Sequence, residues 1–266
     1  MENVTDALGN TMEVVTNGSE TEQKGRRKVK IVEQSHRIMD YIDGQAILNK
    51  IEDCGRTCYQ SFDKKSQSSA EKFVRMIIKN GHLSVLEHVS ITVKFITDRG
   101  VLAEMTRHRL ASYSVESTRY CNYSKDGFGS EITVIQPCFL HDLTPATQHD
   151  TDKHFGFSLN GEPNTDAKDM NWYFGCRQAE EGYFNMLDCG CTPQEARSVL
   201  PMSLKTEIVM TANLREWREV FNQRCDSHAH PQMRALMLDT LQDFHHRIPI
   251  IFDDIYSKFF AKEAES

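Results

Sequence analysis

The apolar positions of this chain follow two periods. Ala46 to Tyr59 and Ala70 to Asn80 carry them at helical spacing, and Gly81 stands where a left-handed residue closes a helix. Val89, Ile91, Val93 and Phe95 then alternate with Ser90, Thr92 and Lys94, the period of a half-buried strand. Asp98-Arg99-Gly100 breaks that alternation, and a short helix is predicted to turn Leu102 and Met105 inward. Lys125-Asp126-Gly127 marks a turn, and Glu131 to Gln136 reads as a second strand. Trp172, Cys176, Ala179, Tyr183 and Met186 return to helical spacing. Leu204, Ile208 and Met210 suggest another strand, and Arg215 to Arg224 a helix. Met233, Met237, Leu241 and Phe244 mark a long amphipathic helix that ends before Pro249, its methionines acting as core filler.

Long helices and few strands imply an α+β fold, with mixed helices around a small, mostly antiparallel sheet in a single domain spanning residues 28–266. Two stretches depart from it. Residues 1–27 are polar and read as a flexible N-terminal extension. Residues 139–170 are rich in Thr, Asn, Asp and His and read as a surface insertion. No strand–GxGxxG–helix unit occurs, so no Rossmann unit is expected. Gly127-Phe128-Gly129 is only a turn, and any dinucleotide must be held by other means.

The 266 residues carry a formal charge of −7 and can bury a core of their own. No apolar run approaches the roughly 20 residues of a membrane helix. The N-terminus lacks a basic segment followed by an apolar one, so the expected location is cytoplasmic, with no membrane partner. The eight cysteines are expected as free thiols. Cys189-Gly-Cys191 does not have the spacing of a zinc ribbon, and no metal is expected. The acidic balance argues against a nucleic-acid partner. Small anions need only a local cluster of cations.

Arg107 to Tyr120, RHRLASYSVESTRY, is such a cluster. An arginine fork matches phosphate oxygens, and the Ser117 and Thr118 hydroxyls with Arg119 could cup one. If the segment is extended, Arg107 and Arg109 face one side and His108 the other; if it ends a helix, all three fan around the terminus. The bland alternative is a solvated basic patch. Two further segments weigh against it. Gly81 to His88, GHLSVLEH, holds His82 and His88, whose spacing of six does not share a helix face and does not suit a metal; His88 reads as satisfied by Glu87 or by backbone. Residues 195–230 hold Arg197, Asn213, Arg215, Arg224 and His228. Asn213 and Arg215 sit at a strand-to-helix junction, where free N–H groups attract anions. Arg224 and His228 share a helix face if that helix continues.

Together these segments resemble the flavin-dependent thymidylate synthases. Arg107-His108-Arg109, seven residues, then Ser117 is similar to the family signature RHR-x7-S. GHLSVLEH resembles its upstream histidine motif. EARSVLP, with Asn213-Leu214-Arg215, Arg224 and Asp226 to Ala229, resembles its C-terminal site. The resemblance runs from Val29 to Ile255, interrupted by the insertion. It implies a methyltransferase that converts dUMP to dTMP, with methylenetetrahydrofolate as one-carbon donor and NADPH reducing a bound FAD that delivers hydride. It also implies a homotetramer with active sites shared between subunits, and no cysteine nucleophile.

Carried over residue by residue, Ser84, Arg107, His108, Arg109, Asn213 and Arg215 resemble the flavin contacts. Glu104, Arg107, Ser117, Thr118, Arg119, Arg197 and Arg224 resemble the nucleotide contacts. The family's arginine at 224 implies a catalytic cation that favours ionisation of uracil N3, as a nearby positive charge should. His82 and His108 would shape the flavin and folate pocket. Three positions depart from the pattern. Val115 offers flavin no hydrogen-bonding side chain. Glu219 would repel a pyrophosphate unless an arginine intervenes. Glu104 stands where many members have glutamine, and when ionised can only accept. Two other classes compete: a cysteine-dependent synthase using Cys138, which follows Pro137 but lacks an evident activating group, and a nucleic-acid-binding module.

Overall fold

The computed structural model describes residues 29–119, 121, 123–124, 131–143 and 166–260, with the backbone of five short strands outside those ranges. Strands β1 (Glu2–Thr5) and β2 (Thr11–Val14) pair antiparallel. The rest of residues 1–28 lies outside the described residues, and with it most of the stretch read as a flexible extension.

The chain then runs through β3 (Lys30–Val32), β4 (Ser35–Ile38), α1 (Gly44–Tyr59) and α2 (Ser69–Lys79). A 3-10 turn, Leu83–His88, leads into β5 (Ser90–Asp98), the short helix α3 (Arg99–Met105) and β6 (Ala111–Val115). After β7 (Thr133–Ile135) comes the insertion, which contains an antiparallel meander of β8 (Thr147–Thr151), β9 (His154–Leu159) and β10 (Glu162–Pro163). Helices α4 (Ala167–Asp188) and α5 (Pro193–Ala196) follow, then β11 (Lys205–Asn213), α6 (Leu214–Arg224), α7 (Pro231–Arg247) and α8 (Pro249–Phe260).

The central sheet is antiparallel in the order β4-β5-β11-β6. Its register sets Ser90 opposite Asn213 and Asp98 opposite Lys205. Alternation does what period two requires: Ile91, Val93, Phe95, Ile208 and Met210 are buried on one face. On the other, Lys94, Glu207, Lys205 and Glu116 form a ladder of ion pairs. Helices α6, α7 and α8 cover the apolar face. Trp217, Phe221, Phe244 and Phe252 interlock there edge-on and stacked, and Trp217 Nε1 donates to the Ile91 carbonyl at 3.0 Å. A second, smaller core around Val29, Val134, Tyr183 and Phe184 holds α4 against the parallel pair β3–β7.

Several local readings acquire their cause here. Asp98 ends β5 by capping α3, its carboxylate accepting from Val101 N at 2.7 Å. Gly81 has φ 72° and closes α2: Gly81 N bonds the Ile78 carbonyl and His82 N the Ile77 carbonyl, which turns the chain toward the next segment. Pro249 does stop α7, yet as a first-turn residue it also opens α8, an element that the periodicity did not reveal.

Candidate active site

Helix α3 is the scaffold of the site. Its residues 99, 102 and 103, with the capping Thr106, share one face, spaced by three and four, and line an open cleft of about 620 Å³. Ser117, Thr118 and Arg197 line the same cleft. Thr118 is buried, and its Oγ1 accepts from Arg99 Nη2 at 3.0 Å and from Arg197 Nη1 at 3.1 Å. Arg99 Nη1 reaches Thr206 Oγ1 at 2.9 Å and the Glu116 carbonyl at 3.3 Å. Both guanidinium groups thus bond only neutral oxygens among the described residues. Their charge stays available to an anion in the cleft. Sequence reading missed Arg99, which stood out only as part of the break after β5. An arginine in the first turn of the helix that leads to the cationic run was the available signal.

A second group joins α3 to α6. The RHR run ends a helix: Arg107 N and His108 N bond the carbonyls of Glu104 and Met105. His108 turns inward and is 5% exposed, whereas Arg107 and Arg109 are exposed and carry no ion pair among the described residues. The last turn is tied down by Tyr113, whose hydroxyl lies 2.7 Å from the Met105 carbonyl and 2.8 Å from that of His108. Arg224 is held by three contacts. Its Nε donates to His108 Nε2 at 2.9 Å, Nη1 to Glu104 Oε2 at 3.1 Å and Nη2 to the Glu104 carbonyl at 3.1 Å. Burial, then the Arg224 charge, push the His108 ring down to about 4, so it is neutral at pH 7. Both ring nitrogens face groups of the chain itself, Arg224 on Nε2 and Glu216 near Nδ1.

The third group lies at the start of α6. Asn213 caps this helix, its Oδ1 accepting from Glu216 N at 2.9 Å, and keeps only its amide N–H groups for a ligand. Leu214 N bonds the Val89 carbonyl and seats the helix beside the Leu83–His88 turn. Exposed Ser84 belongs to that turn, and Glu87 pairs with Arg215 at 2.6 Å, so Glu87 is not reserved for His88. His82 lines a separate cavity of about 720 Å³ with Arg56, Lys64 and Lys72.

The predicted residues therefore form three groups within one chain. Of Arg107, Arg197 and Arg224, Arg197 lines the cleft described above, and α3 leads from that cleft to the other two. Arg119 is exposed beside Ser117, whose Oγ accepts from its backbone N. Arg224 and His228 do not share a helix face, because α6 ends at Arg224 and His228 folds back onto Asp226. Glu219 is exposed and pairs with Gln223, and Val115 lines the cleft. Cys138 lies on the turn after β7, outside the cleft lining, and burial pushes its thiol up, away from the reactive thiolate. All eight cysteines are free. His141, Asp166 and Asp169 place ligand atoms within 4.8 Å of one another, and two of them already meet directly, His141 Nδ1 lying 2.7 Å from Asp169 Oδ2.

Fold and site define a class: an α+β protein with an open cleft lined by two arginines from distant segments, Arg99 and Arg197. A family model described as thymidylate synthase complementing protein matches residues 37–250, and the chain belongs to that family. Relatives named flavin-dependent thymidylate synthase include one from Mycolicibacterium vanbaalenii, 33% identical over 217 residues and covering 80% of each chain. One from Geobacter sulfurreducens is 31% identical over 208 residues, 75% of this chain and 78% of the relative. The fold is also similar to a solved thymidylate synthase X from Helicobacter pylori with FAD and dUMP. The TM-score is 0.62 at 20% identity, covering 84% of this chain and 99% of that one.

Proposed function

We propose that the chain is a flavin-dependent thymidylate synthase that converts dUMP to dTMP. Family membership supports this reading, and so do relatives of that name that match most of this chain's length. The observation that carries the site assignment is the pair Arg99 and Arg197 converging on Thr118 Oγ1 with no carboxylate to neutralise them among the described residues. That donor set suits the phosphate of a nucleotide, with Ser117 and Arg119 completing the cradle. The exposed Arg107 and Arg109, the exposed Ser84, the free amide of Asn213 and Arg215 suit a larger anionic cofactor, FAD. When bound, FAD supplies the hydride that completes the methyl group, with NADPH as reductant and methylenetetrahydrofolate as carbon donor.

The chain's own part is binding, orientation and charge. Three of the five N–H groups of Arg224 are used within the chain, which leaves two donors for a ligand. A fixed cation beside the uracil imide stabilises its anion and enriches the ring at C5. Glu104 holds that cation in place and so acts on the base through Arg224. The site residues come from three segments of one chain, and we infer a homotetramer in which neighbouring copies complete each site. No helix among the described residues is long and apolar enough to cross a membrane, and we place the enzyme in the cytoplasm. Purified protein should be yellow, and should form dTMP from dUMP, methylenetetrahydrofolate and NADPH. A colourless protein that stays inactive when FAD is added rules the reading out.

A further inference from the structure

We propose that Glu216 is a positioning residue for Arg224, acting through the imidazole of His108 that lies between them. Glu216 and Arg224 are eight residues apart on α6, about two turns, and so share a face. His108 enters that gap from the end of α3. Its Nε2 accepts from Arg224 Nε at 2.9 Å, and its Nδ1 lies 3.6 Å from Glu216 Oε1. An arginine N–H can only donate, so Nε2 is the nitrogen without hydrogen. The ring hydrogen of the neutral imidazole is therefore on Nδ1, facing the carboxylate.

At 3.6 Å this contact is electrostatic rather than a hydrogen bond. It acts in a dry site, because His108 is 5% and Glu216 8% exposed, and there a nearby carboxylate favours Nδ1–H over Nε2–H. The other tautomer would set Nε2–H against Arg224 Nε–H, two donors head to head, and release the guanidinium from its bearing. The remaining surroundings hold the ring still. Tyr113 fixes the His108 backbone from β6, Glu104 holds the far side of Arg224 from α3, and Glu219 adds negative charge from α6. Burial, then the Glu219 charge, push the Glu216 carboxyl up from its ordinary value.

The inference rests on Arg224 serving the nucleotide, as proposed above. Nitrogen-15 NMR of His108 in the purified full chain reads the tautomer, and steady-state kinetics with dUMP read its consequence. Glu216→Leu is expected to populate Nε2–H and to lower kcat/KM for dUMP about tenfold to hundredfold, the scale of a displaced contact at the reacting centre. Glu216→Gln keeps an acceptor oxygen and should retain most of the original tautomer and rate. If leucine is not accommodated, Glu216→Ala serves in its place. A variant that keeps Nδ1–H after loss of the carboxylate overturns the proposal. So does one that switches tautomer yet keeps wild-type dUMP kinetics. If the wild-type protein forms no dTMP, the proposed function fails; the tautomer, together with dUMP affinity by calorimetry, then still decides the role of Glu216.

Discussion

Arg197 and Arg224 are the same residue in two different settings. Arg197, with Arg99, bonds a buried hydroxyl in the cleft. Arg224 bonds a carboxylate, a carbonyl and an imidazole. The first pair meets only neutral oxygens among the described residues, which under the proposed function leaves its charge for the phosphate of the nucleotide. The second has part of its charge cancelled, and what it retains is direction. The chemistry of the partner atoms, more than the presence of an arginine, separates binding from orientation.

Substitution at each arginine should break this comparison in a different place. Arg224→Ala should have the largest effect. Loss of a preoriented cation is expected to lower kcat by about 10²–10³ while flavin content is retained. Single-turnover rates and the flavin spectrum measure the two separately, and equal loss of both would assign Arg224 to the cofactor. Arg197→Ala should act on affinity. Charge-assisted hydrogen bonds are worth about 1.5–3 kcal/mol, so KM for dUMP should rise about tenfold to hundredfold with kcat less affected. A kcat effect without a KM effect would merge the two settings.

Acid should separate them next. The His108 pKa is lowered to about 4 from its ordinary 6.5. Below pH 6.5 the unfolded chain takes up a proton that the folded chain refuses. The stability from neutral His108 is therefore complete above that pH and is lost as the pH falls toward 4. Its size is on the order of 3 kcal/mol. Denaturant midpoints of wild type and His108→Gln across this window should diverge, with the variant flatter. Parallel curves would contradict the assigned environment. The smallest effect belongs to Glu87 and Arg215, whose side chains are 45% and 53% exposed. Glu87→Gln should change stability by less than about 1 kcal/mol, as read by urea unfolding. A larger loss would mean that this pair helps to seat α6.

Much of the fold was legible because it is written in short periods. The alternation from Val89 to Phe95 became β5, the run from Arg215 to Arg224 became α6, and the mostly antiparallel sheet is present. Other elements left little trace. Strand β4 is four residues long, and α8 is apolar enough that its period is blurred. The meander of β8 to β10 was hidden in a polar stretch read only as an insertion.

The candidate site divides the same way. Residue types and motif spacing were enough to choose the arginines, the hydroxyls of Ser117 and Thr118, and the capping Asn213, because charge and hydrogen-bonding capacity belong to each residue alone. They could not show that His108 turns inward to meet Arg224 across 116 positions, that Arg99 shares Thr118 with Arg197, or that Glu216 backs the imidazole. Those facts depend on the register of β5 against β11 and on how α6 packs beside α3. Strand pairing and helix packing are chosen by the burial of the whole core, Trp217 and its aromatic neighbours included, and no local stretch of residues carries that information.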